Sequence, residues 1–557
     1  MTPSAPPPDL KQVELRPPAQ IMRLARMGSF FATRLSFMRV LVRELLTGGW
    51  TIARPIFDID TAGYGTAVYR VSRPGRSYSL VAFSHELAPE LRTDRVIAEA
   101  WDATFALYDG EPDAGEIERL RRNVPRQEAG RYRASDLVLC RANRSLRYFD
   151  HVVTRLAAGL QPDAALTREV GYLMRTTAVY GNGKFGIADR SRIAGRPELA
   201  GPFQAEMLAV YLVRLFTVEL AEHVAKAKAP GTAVPLEPRI RRHIGIGNAT
   251  GLGMAPFLMT HPVLISNWML ARETALARVR AVTVMDDRTR QRLGELLLRA
   301  KRHVSEWRVA DPHQSARIAE LEADLARLGE EAAGATPDRL YRWAESHLGL
   351  EAQELVVSLL IEMFPDLVDD LARHMAAPET NPFDPAMRVA ELRQIVERDY
   401  DWALRIDCTD PRQRALFWYV SEEKLEPRLG DRHEEPGAEL ERPFAVAHDI
   451  QALHRALQAE EPRQTLAAFL MRQPRFRHIA RRAQIVATHP YGEIHDNLVC
   501  QDCLPVDLLR SKLSFFGASK FDPKSDRWTR ITMYQGAPYP SDLASPDADD
   551  WAFPALA

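Results

Sequence analysis

Two short glycine-rich runs carry the residue types that could hold an anion. The longer run, residues 245–256, follows a cluster of arginines and precedes a Thr-His-Pro sequence at which a helix is expected to begin. Glycine leaves the backbone free to turn its N–H groups toward an anion, and the arginines supply countercharge. The residues that we expect to bind a ligand here are Arg241, Arg242, Gly245, Gly247, Asn248, Thr250, Gly251 and Gly253.

The glycine spacing of this run matches neither the dinucleotide fingerprint nor the phosphate-loop motif, so it indicates no particular cofactor. A purely structural explanation is also open, in which the glycines let helices or backbones pass closely. We favour a bound molecule because flexible glycines, a side-chain amide, a hydroxyl group and cations occur together in one short run.

The second run, residues 180–186, contains a lysine in a chain that otherwise uses arginine. Only nine of the 73 basic residues are lysines, so a lysine between glycines is informative. Its compact ammonium group could bind a carboxylate or phosphate, or act as a base or Schiff-base former. A glycine cap at the end of a helix is the structural alternative. The candidate proton-transfer groups are Lys184, Tyr180 and His261, and the candidate binding residues of this run are Arg175, Gly181, Asn182 and Gly183.

A pocket formed by both runs would be electropositive and suited to a small anion. We therefore expect a cytosolic enzyme that binds a small carboxylate- or phosphate-bearing substrate or cofactor at residues 180–186 and 245–256 and uses acid–base chemistry. Lyase, transferase and oxidoreductase chemistry all stay open, because no motif fixes a cofactor. The alternative is a non-enzymatic helical scaffold or regulatory protein in which the glycines serve only as turns.

A set of nitrogen and sulfur donors near the C-terminus follows the order H-x5-H-x4-C-x2-C. Four such donors could hold a tetrahedral zinc ion, although this order matches no usual zinc signature. A redox dithiol and ordinary buried thiols are the alternatives. The candidate metal ligands are His489, His495, Cys500 and Cys503.

Carboxylates also cluster at residues 362–370, where a metal site is conceivable. Because arginine is abundant in this chain, we expect an arginine-paired, solvated face there and not a metal site.

Composition and charge favour an ordinary soluble protein. The chain has 557 residues, with 73 Lys+Arg against 74 Asp+Glu, and this balance argues against a nucleic-acid partner. Its four cysteines fit a reducing cytosol, and its opening residues lack the pattern of a signal peptide. Arginines interrupt every apolar stretch, so we expect no membrane partner and a cytoplasmic location.

The secondary structure that would position these residues is predicted to be mainly helical (α+β). We expect a multi-helix body, a small N-terminal antiparallel β element and a loop-rich C-terminal segment that frays after Ser541. Pro74 and Gly75 stand where a type II turn needs them, which predicts a hairpin between Gly63 and His85. Apolar residues at spacings of three and four predict an antiparallel helical hairpin over 287–329, which could pack on the body or assemble a homo-oligomer.

These patterns predict five regions. They are a disordered tail (1–20), an opening helix with the small β unit (21–134), a helical body carrying both glycine-rich loops (135–425), a linker (426–442), and C-terminal helices followed by an extended segment (443–557).

Overall fold

A computed structural model of the protein describes most of the chain. The described residues are 13–92, 100–124, 133–181, 184–185, 195–251, 262–331, 334–376, 383–410, 418–420, 427–429, 442–444, 446–495, 505–525 and 528–556.

The strands lie in two sheets. In chain order they are β1 (Thr51–Ile59), β2 (Gly65–Arg73), β3 (Arg76–Ser84), β4 (Ala103–Asp109), β5 (Asp136–Arg144), β6 (Tyr172–Gly181), β7 (Lys184–Phe185), β8 (Gly245–Gly251), β9 (Trp418–Val420), β10 (Pro427–Leu429), β11 (Arg442–Phe444), β12 (Lys520–Ser525) and β13 (Trp528–Met533).

The described α-helices vary in length, and every one with more than 13 residues lies between residues 204 and 363. They are α1 (Pro18–Ile21), α2 (Leu24–Met27), α3 (Phe37–Thr47), α4 (Ala114–Asn123), α5 (Phe149–Ala157), α6 (Ala164–Val170), α7 (Gln204–Lys228), α8 (Pro238–His243), α9 (Pro262–Arg280), α10 (Asp287–Ser305), α11 (Pro312–Glu331), α12 (Pro337–His347), α13 (Leu350–Met363), α14 (Pro365–Val368), α15 (Val389–Asp399), α16 (Asp401–Leu404), α17 (Val446–Gln458), α18 (Leu466–Arg472), α19 (Arg477–Thr488), α20 (Pro505–Arg510) and α21 (Lys512–Phe516).

One large mixed sheet organises the molecule. Nine strands follow the order β1-β2-β3-β4-β5-β6-β8-β13-β12, and the short β7 pairs with β6. The prediction of a mainly helical fold with a small N-terminal β element is therefore wrong, because the fold is mixed α/β and its sheet draws strands from residue 51 to residue 533. The missed strands β5 and β6 mix apolar and polar residues without strict alternation, and β8 is rich in glycine, so local periodicity did not identify them as strands.

The sheet is covered on both faces in its first half. Alternation along β3 places Leu80 and Ala82 in the main core and Val81 and Phe83 in a separate apolar cluster with Leu120 of α4. The long helix α7, most of whose residues are buried, packs across β3, β4, β5, β6 and β8. A further core lies among the helices between α15 and α19.

Both predicted hairpins are present. In the β-hairpin Arg73 pairs with Arg76 across a two-residue turn, and Gly75 has a φ of +76°, as a type II turn requires. The helical hairpin consists of α10 and α11, and its apolar residues, including Leu296 and Leu325, are buried in the main core. Its apolar face is thus used within the chain.

The C-terminal residues pack onto the body. Trp551, Phe553 and Leu556 are buried in the main core, and Asp550 pairs with Arg292 and Arg299 of α10. The prediction of a frayed end after Ser541 is therefore wrong, because aromatic side chains anchor the acidic tail.

Glu362, Asp369 and Asp370 pair with arginines, as predicted, but Glu362 is buried and does not belong to a solvated face. Arg34 donates to both oxygens of Asp369, and Arg39 donates to both oxygens of Glu362. None of the helices in the described part of the chain is long and apolar enough to cross a membrane.

A buried ion-pair network fastens the N-terminal segment to α9 and α13. Glu354 accepts hydrogen bonds from Arg16 (2.8 Å), Arg26 (2.6 Å) and Arg272 (2.5 Å), and Glu273 accepts from Arg16 and Arg272. Burial alone would raise the pKa of Glu354, but the three arginines outweigh it and hold that pKa far below its ordinary value.

The variant Glu354→Gln tests the energetic weight of this network. It leaves three guanidinium groups without their shared charge, so we expect it to lower the free energy of unfolding by about 3–5 kcal/mol at pH 7. Because the carboxyl pKa is lowered by folding, its stabilisation is present above the ordinary value of 4.5 and is lost as the pH falls below it.

Chemical denaturation at pH 7 and at pH 3 measures both effects. The control is Glu322→Gln on the exposed face of α11, which should change stability by less than about 0.5 kcal/mol. Equal unfolding midpoints for the two variants would contradict the assigned role.

Candidate functional site

The two glycine-rich runs lie on neighbouring strands. β6 and β8 form the one parallel pair in the described sheet, with Arg175 opposite Gly247 and Thr176 opposite Asn248. Side-chain hydrogen bonds join the two strands. Asn248 Nδ2 donates to Thr176 Oγ1 (2.8 Å), and Thr176 Oγ1 donates to the carbonyl of Gly247 (3.2 Å). Both side chains are buried. Parallel strands that are held in register end at the same edge of a sheet.

The predicted catalytic lysine lies at that edge. β6 continues past Thr176 to Gly181 and pairs with β7, so that Tyr180 lies opposite Phe185 and Gly181 lies opposite Lys184. β8 ends at Gly251, which pairs with Trp528 at the start of β13. The backbone of Lys184 and the carboxyl end of β8 therefore belong to the same end of the sheet.

Residues 245–251 form a strand where we expected a loop. This strand contains Gly245, Gly247, Asn248, Thr250 and Gly251. A Cβ atom at Gly245 would lie 2.4 Å from the carbonyl oxygen of Met533, and one at Gly247 would lie 2.8 Å from the ring of Tyr172. The close approach of neighbouring groups accounts for these two glycines.

The arginines of the longer run lie at the opposite end of β8. Arg241 and Arg242 belong to α8, which precedes the strand. Arg242 donates to the carbonyl of Gly536 (2.8 Å), and the guanidinium of Arg241 lies over the ring of Tyr539 at 4.6 Å. Since β8 spans seven residues, about 20 Å of strand separates these cations from its carboxyl end.

Arg175 is buried on β6, level with Gly247. Several further predicted residues lie outside the described part of the chain: Asn182, Gly183, Gly253, His261, Cys500 and Cys503.

The two described histidines of the proposed zinc set have other contacts. His495 stacks on Trp402 with ring centroids 5.3 Å apart, and burial lowers its pKa to about 4. His489 Nδ1 lies 2.9 Å from the hydroxyl of Thr488. Within the described residues there is no group of three or more His, Cys, Asp or Glu side chains that could hold a metal ion.

A buried polar cluster near the start of β8 was missed by the sequence reasoning. Ser519 Oγ donates to Gln535 Oε1 (2.7 Å), so the amide nitrogen of Gln535 faces His243 Nε2 (2.8 Å). Lys520, the neighbour of Ser519, points inward and donates to the carbonyl of Arg168 at the end of α6. The rarity of lysine in this chain is the one signal that could have singled out Lys520.

Comparison with known proteins gives no family for the chain. No protein-family model matches it, and no curated protein or solved structure shows significant similarity to it. Arguments about its function depend on the geometry of its own residues.

The variant Gly247→Ala tests the packing role of this glycine. Its methyl group would meet the ring of Tyr172, so we expect a loss of about 1–3 kcal/mol in the free energy of unfolding. Gly294→Ala on the exposed face of α10, where nothing lies within 4 Å, is the control and should be neutral or stabilising by up to about 1 kcal/mol. Denaturant titration compares them, and an unchanged Gly247→Ala protein would refute the close contact.

Proposed function

We propose that the protein is an enzyme that binds a small carboxylate- or phosphate-bearing molecule at the edge of the sheet where β6 and β8 end. The parallel pairing of these strands is the observation that carries the proposal. In open parallel α/β sheets, ligands bind in the crevice outside the carboxyl ends of the strands, and we extend this rule to the single parallel pair of the described sheet. Here the segments that follow β6 and β8 contain Lys184 and His261.

The roles of the residues follow from their chemistry. Lys184 neutralises the anion or transfers a proton, with Tyr180 and His261 as further acid–base groups. Backbone N–H groups of the glycine-rich segments that follow the two strands bind the anionic group. Arg241 and Arg242 are left out of this site because they contact the C-terminal segment at the other end of β8.

The scaffold alternative receives less support. It relied on the hairpin of α10 and α11 as an assembly surface, and the apolar residues of that hairpin are buried within the chain. Lyase, transferase and oxidoreductase chemistry are equally compatible with an anion site at this edge.

The variant Lys184→Met tests the proposal. Calorimetric titration with inorganic phosphate and with succinate should show binding to the natural protein and a loss of at least about tenfold in affinity for the variant, since a charge-assisted hydrogen bond contributes about 1.5–3 kcal/mol. Lys226→Met, at an exposed position on α7, removes the same charge elsewhere and should bind as the natural protein does.

Native mass spectrometry of the purified protein complements the titration. A retained organic anion that Lys184→Met loses would support the proposal and report the subunit number. Unchanged affinity of Lys184→Met for every probe that the natural protein binds would overturn the assigned role of this residue.

A further inference from the structure

A small cavity opens beside Lys520, which lies on the edge strand β12. It has a volume of about 30 Å³, which is room for about one water-sized group. Tyr172 and Thr532 form part of its wall, together with the half-buried Lys520 and the exposed Arg308.

The charges around this cavity do not balance. Its lining includes four cations, Arg147, Arg308, Lys520 and Arg530, against the two carboxylates Glu169 and Asp522. Arg147 and Glu169 pair with each other at 2.6 Å. The lining therefore carries a net positive charge.

Two of these cations have only carbonyl groups as hydrogen-bond partners among the described residues. Lys520 donates to the carbonyl of Arg168, and Arg308 donates to the carbonyls of Ser305 (2.7 Å) and Trp307 (2.9 Å). Among the described residues, neither cation forms an ion pair with a carboxylate. Other buried cations of this protein are paired with carboxylates, as Arg272 is, or donate to three carbonyl groups, as Arg214 does.

Burial lowers the pKa of Lys520 to about 8, although the neighbouring carboxylates of Glu306, Asp522 and Glu169 act in the opposite direction. The charge of Arg308 contributes to the lowering. An anion in the cavity would neutralise both cations and remove part of the cost of burying the ammonium group.

We propose that this cavity is a second anion site, which binds the carboxylate group of a small molecule between Lys520 and Arg308. Thr532 lines the same cavity and offers a hydroxyl donor. The volume admits the head group alone, so the rest of the ligand lies at the mouth beside Arg308. Chloride shares the charge and fits the same volume, and the experiment separates the two.

This site is separate from the one at Lys184. Across the sheet, Lys520 of β12 lies opposite Thr532 of β13, and Thr532 lies opposite Gly247 of β8. Gly247 in turn lies opposite Arg175 of β6. Lys184 lies opposite Gly181, which is six residues farther along β6 or about 20 Å away. A negative result for one site in a binding experiment therefore does not contradict the proposal for the other site.

The experiment titrates the full-length protein with sodium acetate and, separately, with sodium chloride, in a buffer free of other small anions. Saturable binding of acetate, followed by calorimetry and by the unfolding temperature, is expected for the natural protein. In the Lys184→Met background, in which the site proposed above is removed, Lys520→Met should weaken it by at least about tenfold, while Lys226→Met should leave it intact.

The pH dependence adds a readout that a purely structural lysine would not produce. Affinity for acetate should fall as the pH rises through about 8, because Lys520 then loses its charge. The nearby His243 and His303 do not contribute, because burial lowers their pKa values to about 3 and 4. A pH profile that is flat between 6 and 9 would overturn the proposal.

If Lys520→Met does not fold, Arg308→Gln is the alternative variant. Arg308 is exposed, so its substitution leaves the packing of the interior unchanged. It should weaken acetate binding and keep the pH dependence. Equal affinity of either variant and the natural protein for acetate contradicts the proposal, as does the absence of saturable binding to the natural protein. Binding of chloride in place of acetate would restrict the site to a free inorganic anion and overturn the assignment to carboxylates.

Discussion

The guanidinium group of Arg214 holds three parts of the chain together where β8 begins. It lies at the centre of α7 and donates to the carbonyls of Ile244 (2.7 Å), Arg242 (2.8 Å) and Ala537 (3.0 Å). Parallel strands need a crossover connection, and α7 lies in the crossover from β6 to β8. By fixing the start of β8 against α7 and against the C-terminal segment, Arg214 supports the register in which both glycine-rich runs reach one edge of the sheet.

Buried cations are accommodated in this protein by different partners. The network around Glu354 uses carboxylates, which compensate for desolvation when the geometry is close and every proton has an acceptor. Arg214 uses carbonyl groups and the ring of Tyr539, which lies 4.0 Å from its guanidinium carbon. Lys520 donates to a single carbonyl group and lines a cavity. It therefore has room for a further partner, which is the basis of the proposed anion site.

Features that depend on residues close together in the chain could be predicted from the sequence, whereas features that depend on distant residues could not. The turn at Pro74 and Gly75 was predictable, since the φ angles of two adjacent residues decide it. The hairpin of α10 and α11 was predictable as well, because its apolar residues repeat along each helix. The strand at 245–251 was not, because its glycines are explained by Met533 and Tyr172, which are distant in sequence.

The candidate site also combines features that are local in the sequence with features that depend on distant residues. Residue types alone indicated an anion site at Lys184, and they could not show that the strand before it runs parallel to β8. They also placed Arg241 and Arg242 in that site, whereas the length of β8 separates these cations from its carboxyl end.

The sequence by itself determined the local turns, the amphipathic helices and the scarcity of lysine that makes Lys184 and Lys520 informative. Only the tertiary structure decided which strands are neighbours, which arginines find a carboxylate, and that Lys520 faces a cavity with Arg308. The physical reason is that strand pairing and burial join residues far apart in the chain, so no short segment contains the information that specifies them.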